Sequence, residues 1–220
     1  MSYVLFVAGS IFEYLSCFLL MFTLFRFRFK RQIMLIIIIS ILMSQVSYFT
    51  RLIPEIGELS SYIQLVLFVL VLWILFRVPF YYSIVMNGAG FVSGFAVQGL
   101  VILSLWGSGV TLSNIQGNNL IILATQLLSA TILIGICRLI HIKNWGFDYV
   151  PTSHRAHVKI TGTNAVLLSL IVFSASAACV IAFLMRYHYK DYLIYASALF
   201  VITIPLFLYY SLRKDHDDAS

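Results

Sequence analysis

Two residues four positions apart, Cys137 and His141, are this chain's nearest approach to a catalytic pair. At that spacing they share one face of a helix. A thiolate nucleophile needs such a base, and the base needs a third group to orient it. The sequence supplies no obvious orienting or oxyanion group, and a snorkelling histidine beside an inert cysteine is the commoner arrangement, so a membrane cysteine peptidase is the weakest of three functional readings. Metal chemistry has less support. His154 and His157 stand three apart, and Asp215, His216, Asp217 and Asp218 form an acidic run, but neither makes a closed set of four ligands. No phosphate-binding glycine loop, GxSxG elbow or HExxH helix is present. The expectation is a protein without enzymatic activity, metal or cofactor.

A second set of residues draws notice because of where it lies. Glu13, Gln45, Gln98 and Gln126 each interrupt a long apolar run. Ionisable and amide groups at such positions are costly and mark binding or transport sites. Arg51 and Arg186, with Glu55, Glu58, His188, Lys190 and Asp191, would form the rim of a polar cavity built on these four. In the competing reading the glutamines join helices by hydrogen bonds, worth about 0.6 kcal/mol each, around a protonated Glu13.

The elements that must position these groups follow from composition. Hydrophobic residues make up 61% of the 220-residue chain and charged residues 10%, against about a quarter charged in water-soluble domains. Apolar runs at 3–25, 32–50, 61–76, 80–106, 119–140, 163–185 and 192–212 approach the roughly 20 residues that cross a bilayer. They are continuous rather than alternating, which favours helices over a barrel. The expected fold is an all-α polytopic membrane protein with seven transmembrane helices. It comprises one domain, 1–212, with a short polar cytoplasmic tail, 213–220. The first run carries Glu13 and lacks a basic leader, so it is expected to be retained rather than cleaved.

Charge orients the helices. Arg26, Arg28, Lys30, Arg31, Arg77, Arg138, Lys143, Arg155, Lys159, Arg213 and Lys214 fall on one side of the alternation, eleven of the fourteen basic residues. Basic loops stay in the cytoplasm, so the amino terminus is expected outside and the carboxyl terminus inside. The net charge of +6 sits at helix ends and forms no basic stripe, which argues against nucleic-acid binding.

Two patterns bear on packing. LFRFRF at 24–29 and LFRVPF at 75–80 share Leu, Phe, Arg and a final Phe, suggesting three helical hairpins followed by a last helix. Gly90 and Gly94 form a GxxxG that permits close helix approach. With the Ser/Ala run at 174–178, they mark the fourth and sixth helices as the central ones. Cys17, Cys137 and Cys179 all lie in apolar runs, which argues against disulfides.

RVPFYY at 77–82, GFDYVP at 146–151 and the HVKITG-TNAVLL stretch that follows carry a resemblance. The chain resembles the membrane-embedded amino-terminal sensor regions of Gram-positive receptor histidine kinases of the quorum-sensing, accessory-gene-regulator type. The resemblance implies an extracellular small-molecule or peptide signal, a membrane or cytoplasmic signalling partner, and a bacterial plasma membrane as its site. The sequence departs from that group in lacking a phospho-accepting histidine motif and a nucleotide-binding module before Ser220. The expectation is therefore a sensor-like or accessory signalling protein without a transmitter, and autokinase activity is not carried over. A small transporter or substrate-capture subunit remains the alternative, because a carboxylate within a span suits proton coupling.

Overall fold

The computed structural model describes residues 3–27, 32–53, 57, 59–109, 118–151, 162–184 and 202–216. All regular structure among them is helical: α1 (Tyr3–Leu24), α2 (Ile33–Leu52), α3 (Ser60–Ile74), α4 (Phe80–Gly107), α5 (Asn119–Ile142), α6 (Thr163–Leu184) and α7 (202–216). Four of these, α1, α2, α4 and α5, are long and apolar enough to cross a membrane. Their outward faces are apolar too, with Val4, Met34, Leu100 and Leu120 each more than 60% exposed. In water such surface would drive association; in hydrocarbon it is the solvated face. The protein is membrane-embedded.

At 15 residues α3 is as short as the apolar run at 61–76 implies. At 1.5 Å per residue it measures roughly 22 Å, less than a ~30 Å hydrocarbon core.

Three helices end with the same backbone device. Arg26, Arg77 and Asn144 take φ of 47°, 56° and 54°, a left-handed conformation that closes a helix. The amide of Phe27 then donates to Phe22 O at 2.8 Å and that of Trp145 to Ile140 O at 2.9 Å. The LFR echo in the sequence thus corresponds to one repeated helix stop, and Asn144 supplies a third without the motif. Pro79 starts α4 with φ of −55°, the value its ring presets.

Contacts fix the helix directions. Tyr3 meets Gln45, so α1 and α2 are antiparallel. Asn87 Nδ2 donates to Leu65 O at 2.9 Å, and the Trp73 and Phe80 rings lie 5.3 Å apart, so α3 and α4 are antiparallel. Leu20 clusters with Leu133 while Gly9 lies against Leu123, so α1 and α5 run parallel. Tyr81 donates to Asn164 O at 2.7 Å, and α4 and α6 likewise run parallel. The core gathers around α1, where Phe18 and Phe22 are fully buried. Phe18 packs on Phe68 at 4.8 Å and Phe22 on Phe76 at 4.9 Å.

Contacts among the described residues refine the expected packing. There α4 touches α1, α3, α5 and α6, α1 touches α2, α4 and α5, and α6 packs along α4 rather than along α5. Glycine explains the preference. A Cβ on Gly88 would occupy the place of Ile171 Cγ2 on α6, and one on Gly90 would stand 2.7 Å from Met21 Cγ on α1. With Gly94 facing Cys17, the GxxxG seats α4 on α1 while Gly88 seats α6 on the other side.

The last helix is described over 202–216, continuing four residues into the segment expected to be a polar tail, with Lys214 buried.

Gly88→Leu should lower stability by about 1–3 kcal/mol, the usual cost of overpacking. Gly99→Ala, at a helical position with nothing within 4 Å of the added methyl, should raise it by about 0.5–1 kcal/mol. Unfolding by dodecyl sulfate in mixed micelles reads both.

Candidate functional site

Glu13 lies at the middle of α1 and is half-buried. Gly9, one turn before it, has no side chain, and the Gln126 carboxamide of α5 occupies the space a Cβ would need. From there Gln126 Nε2 donates to Glu13 Oε2 at 3.3 Å. Gln126 is 8% exposed, and its Oε1 has no partner. Arg51, near the end of α2, attracts the Glu13 carboxylate electrostatically while its guanidinium rests 5.0 Å from the Phe6 ring centroid, a cation–π contact.

The other expected residues are distributed around this pair. Gln45 Oε1 accepts from Tyr3 Oη at 2.5 Å, and the Tyr3 ring sits 4.8 Å from Tyr48, so Gln45 belongs to an aromatic cap at the bundle's end. Gln98 lies on α4, half-buried. The antiparallel register that sets Gly90 on Met21 and Gly94 on Cys17, continued one turn, sets Gln98 level with Glu13. Arg186 lies outside the described residues, as do Glu55, Glu58, His188, Lys190 and Asp191. The structure thus joins Glu13 with Gln126, holds Arg51 nearby, and ties Gln45 elsewhere.

Gln64 was missed. It is 6% exposed, and neither its Oε1 nor its Nε2 has a partner. One turn away Ser60 Oγ lies 2.9 Å from Thr50 Oγ1. That antiparallel register brings Gln64 level with Ser47, whose buried hydroxyl lies beside the Tyr14 phenol. The signal was present in the spacing, because Ser60, Gln64, Phe68 and Leu72 follow one another at four-residue intervals on the buried face of α3. A run of buried polar atoms therefore extends from Ser60 past Gln64, Ser47 and Tyr14 to Glu13 and Gln126. Its unmet donors and acceptors suit an uncharged polar ligand or water.

The opposite end of the bundle holds a clamp. Phe147 N donates to Leu24 O at 2.7 Å, so the segment after α5 caps α1. Arg26 donates to Asp148 Oδ2 at 2.5 Å and to Asn144 O at 2.6 Å. Asp148 N donates to Asp215 Oδ1 at 2.7 Å, and Tyr149 Oη lies 3.1 Å from Ser211 Oγ, both on α7. The rings of Phe147, Tyr149 and Phe207 surround Phe25 at 5.8–6.5 Å, and Tyr82 of α4 lies 6.0 Å from Tyr149. Burial pushes the Tyr149 phenol above its ordinary range, against the Ser211 hydrogen bond.

An aromatic and basic loop such as 141–162 suggests anchoring at the lipid headgroups, but its aromatics divide. Only Trp145 is exposed, at 65%; Phe147 and Tyr149 are buried. The segment 146–151 instead joins the ends of α1, α4 and α7.

Cys137 is buried with Leu20 and Leu133, whereas His141 is exposed. His154 and His157 lie outside the described residues. Among the described residues no three metal-ligating side chains gather.

Gln126→Leu removes the Glu13 partner and should cost about 1–3 kcal/mol, whereas Gln64→Leu replaces an unsatisfied amide with an apolar group and should be neutral or stabilising. Detergent unfolding of the two variants should therefore shift in different directions.

In comparisons with protein-family models, with curated proteins and with solved structures, nothing matches this chain.

Proposed function

We propose that this protein is a sensor-like integral membrane protein without enzymatic activity, which binds a small molecule or peptide from outside and transmits the event to a signalling partner at its cytoplasmic face. In this reading it crosses a bacterial plasma membrane seven times, with the polar run around Glu13 facing out and the clamp facing in. The excess of basic residues on the clamp side supports that orientation. The resemblance to quorum-sensing receptor sensor regions supports the signalling role. Two of its motifs, RVPFYY and GFDYVP, meet where Tyr82 approaches Tyr149.

One observation carries the reading: a single pair of parallel helices links the two features. Gln126 of α5 holds Glu13 midway along α1, and the segment following α5 caps the end of α1. A ligand that takes Gln126 or Glu13 as its partner weakens the pair that sets the α1–α5 register. A shift of α1 against α5 there bears on the Leu24–Phe147 hydrogen bond and, through Tyr149 and Asp148, on α7. Met21 and Cys17 of α1 lie against the GxxxG of α4, which places α4 to follow α1.

A transporter or substrate-capture role rests on the same Glu13 carboxylate. It requires transport: proton-gradient-dependent uptake into vesicles would favour it, and binding without uptake favours the sensor.

Ser211 is fully buried in the clamp. With the native cysteines replaced, a Ser211→Cys reporter in vesicles should react slowly with a maleimide reagent. Adding Gln126→Leu should speed the reaction at least threefold. An unchanged rate would remove the coupling on which the sensor reading stands.

A further inference from the structure

Among the described residues α6 lies on α4 rather than on α5, and a partly open cavity of about 280 Å³ lies between α5 on one side and α6 with α7 on the other. Small residues of α4, Ala89, Ser93 and Ala96, form its floor, and Leu20, Leu133 and Phe207 are among its walls. Among the described residues no charged side chain lines it. Two of its hydroxyls differ in kind. Ser174 is satisfied within its own helix, donating to Leu170 O at 2.6 Å. Thr203 of α7 is 5% exposed, lines the cavity, and its Oγ1 has no hydrogen-bond partner.

We infer that this cavity is a second binding site, separate from the polar run around Glu13, for a small uncharged amphiphile with a single hydrogen-bonding group that pairs with Thr203. The apolar wall excludes ions and sugars, whose polar groups would go unpaired. The volume limits size. A cavity of about 150 Å³ takes benzene, so this one accommodates roughly ten to twelve non-hydrogen atoms, too few for a folded peptide. A lipid tail would fill the space but offers nothing to the Thr203 hydroxyl, which in a dry apolar site needs a partner. A molecule of this class reaches the cleft through the bilayer, where it partitions.

The test uses a diazirine-bearing 1-octanol and the matching diazirine-bearing octane, on the full chain in phosphatidylcholine–phosphatidylglycerol vesicles, with cross-links mapped by peptide mass spectrometry. The alcohol should label cavity residues of α4 and α7 at least fivefold over the lipid-facing Val4 and Leu120, and excess 1-octanol should compete. Thr203→Val, which keeps the shape, should reduce labelling by the alcohol to that by the alkane. Ser93→Phe should abolish cavity labelling by both. Equal labelling by alcohol and alkane in the native chain would mean that lipid tails alone fill the cleft and would overturn the inference. So would labelling spread evenly over lipid-facing residues, or alcohol labelling indifferent to Thr203→Val; the last variant decides the matter even where Ser93→Phe fails to fold.

Discussion

The rest of the structure depends on a carboxylate and a carboxamide meeting between two parallel apolar helices. Glu13 and Gln126 lie where water is scarce, and a polar group without a partner there is costly. Gly9 leaves the gap through which the Gln126 side chain reaches α1. Once that pair forms, the register of α1 on α5 is set for their whole length: Leu20 falls beside Leu133 and the end of α5 arrives beside the end of α1. Only then can the chain after α5 turn back and place the Phe147 amide on the Leu24 carbonyl. Apolar packing alone would tolerate neighbouring registers, since Leu and Ile present similar surfaces a turn away.

From this pair the remaining helices take their places through absent side chains. Gly90 and Gly94 bring α4 onto α1, and Gly88 brings α6 onto α4. Association inside a bilayer gains little from the hydrophobic effect, so close van der Waals approach at small residues and polar pairing carry it. Aromatic packing adds specificity in the interior, where Phe18, Phe22, Phe68 and Phe76 lie in mutual contact. Among the described residues, a partly open cleft against α5 lies beside the seat of α6 on α4.

Much of this is legible in the residues themselves. Apolar length locates the helices, and α4 and α5 begin where the runs at 80 and 119 begin. Counting residues into each span sets Glu13, Gln45, Gln98 and Gln126 at one height, yet Gln45 pairs with Tyr3 at the start of α1, apart from Glu13. Other features depend on side chains met across space. Nothing local distinguishes Gln126, which meets Glu13, from Gln45, which meets Tyr3. Gln64 sits in a run that also reads as lipid-facing until the burial of Phe68 and Leu72 assigns its face. The GFDYVP segment has the composition of a lipid-interface anchor, yet its aromatics turn inward because Leu24 O needs a donor and the rings of Phe25, Tyr82 and Phe207 offer partners. The seating of the described part of α6 on α4 follows from Gly88, whose role is visible only once Ile171 is beside it.

The polar pair midway along α1 and the clamp at the end of α1 and α5 act as one mechanical unit. Separate, distant sites add in stability within about 0.3–0.5 kcal/mol. A double-mutant cycle of Gln126→Leu and Phe147→Ala, read by reversible unfolding in mixed micelles, measures the departure directly. Coupling of about 1 kcal/mol or more is predicted, because losing either contact frees the register that the other requires. Additivity of the two losses within error would contradict it.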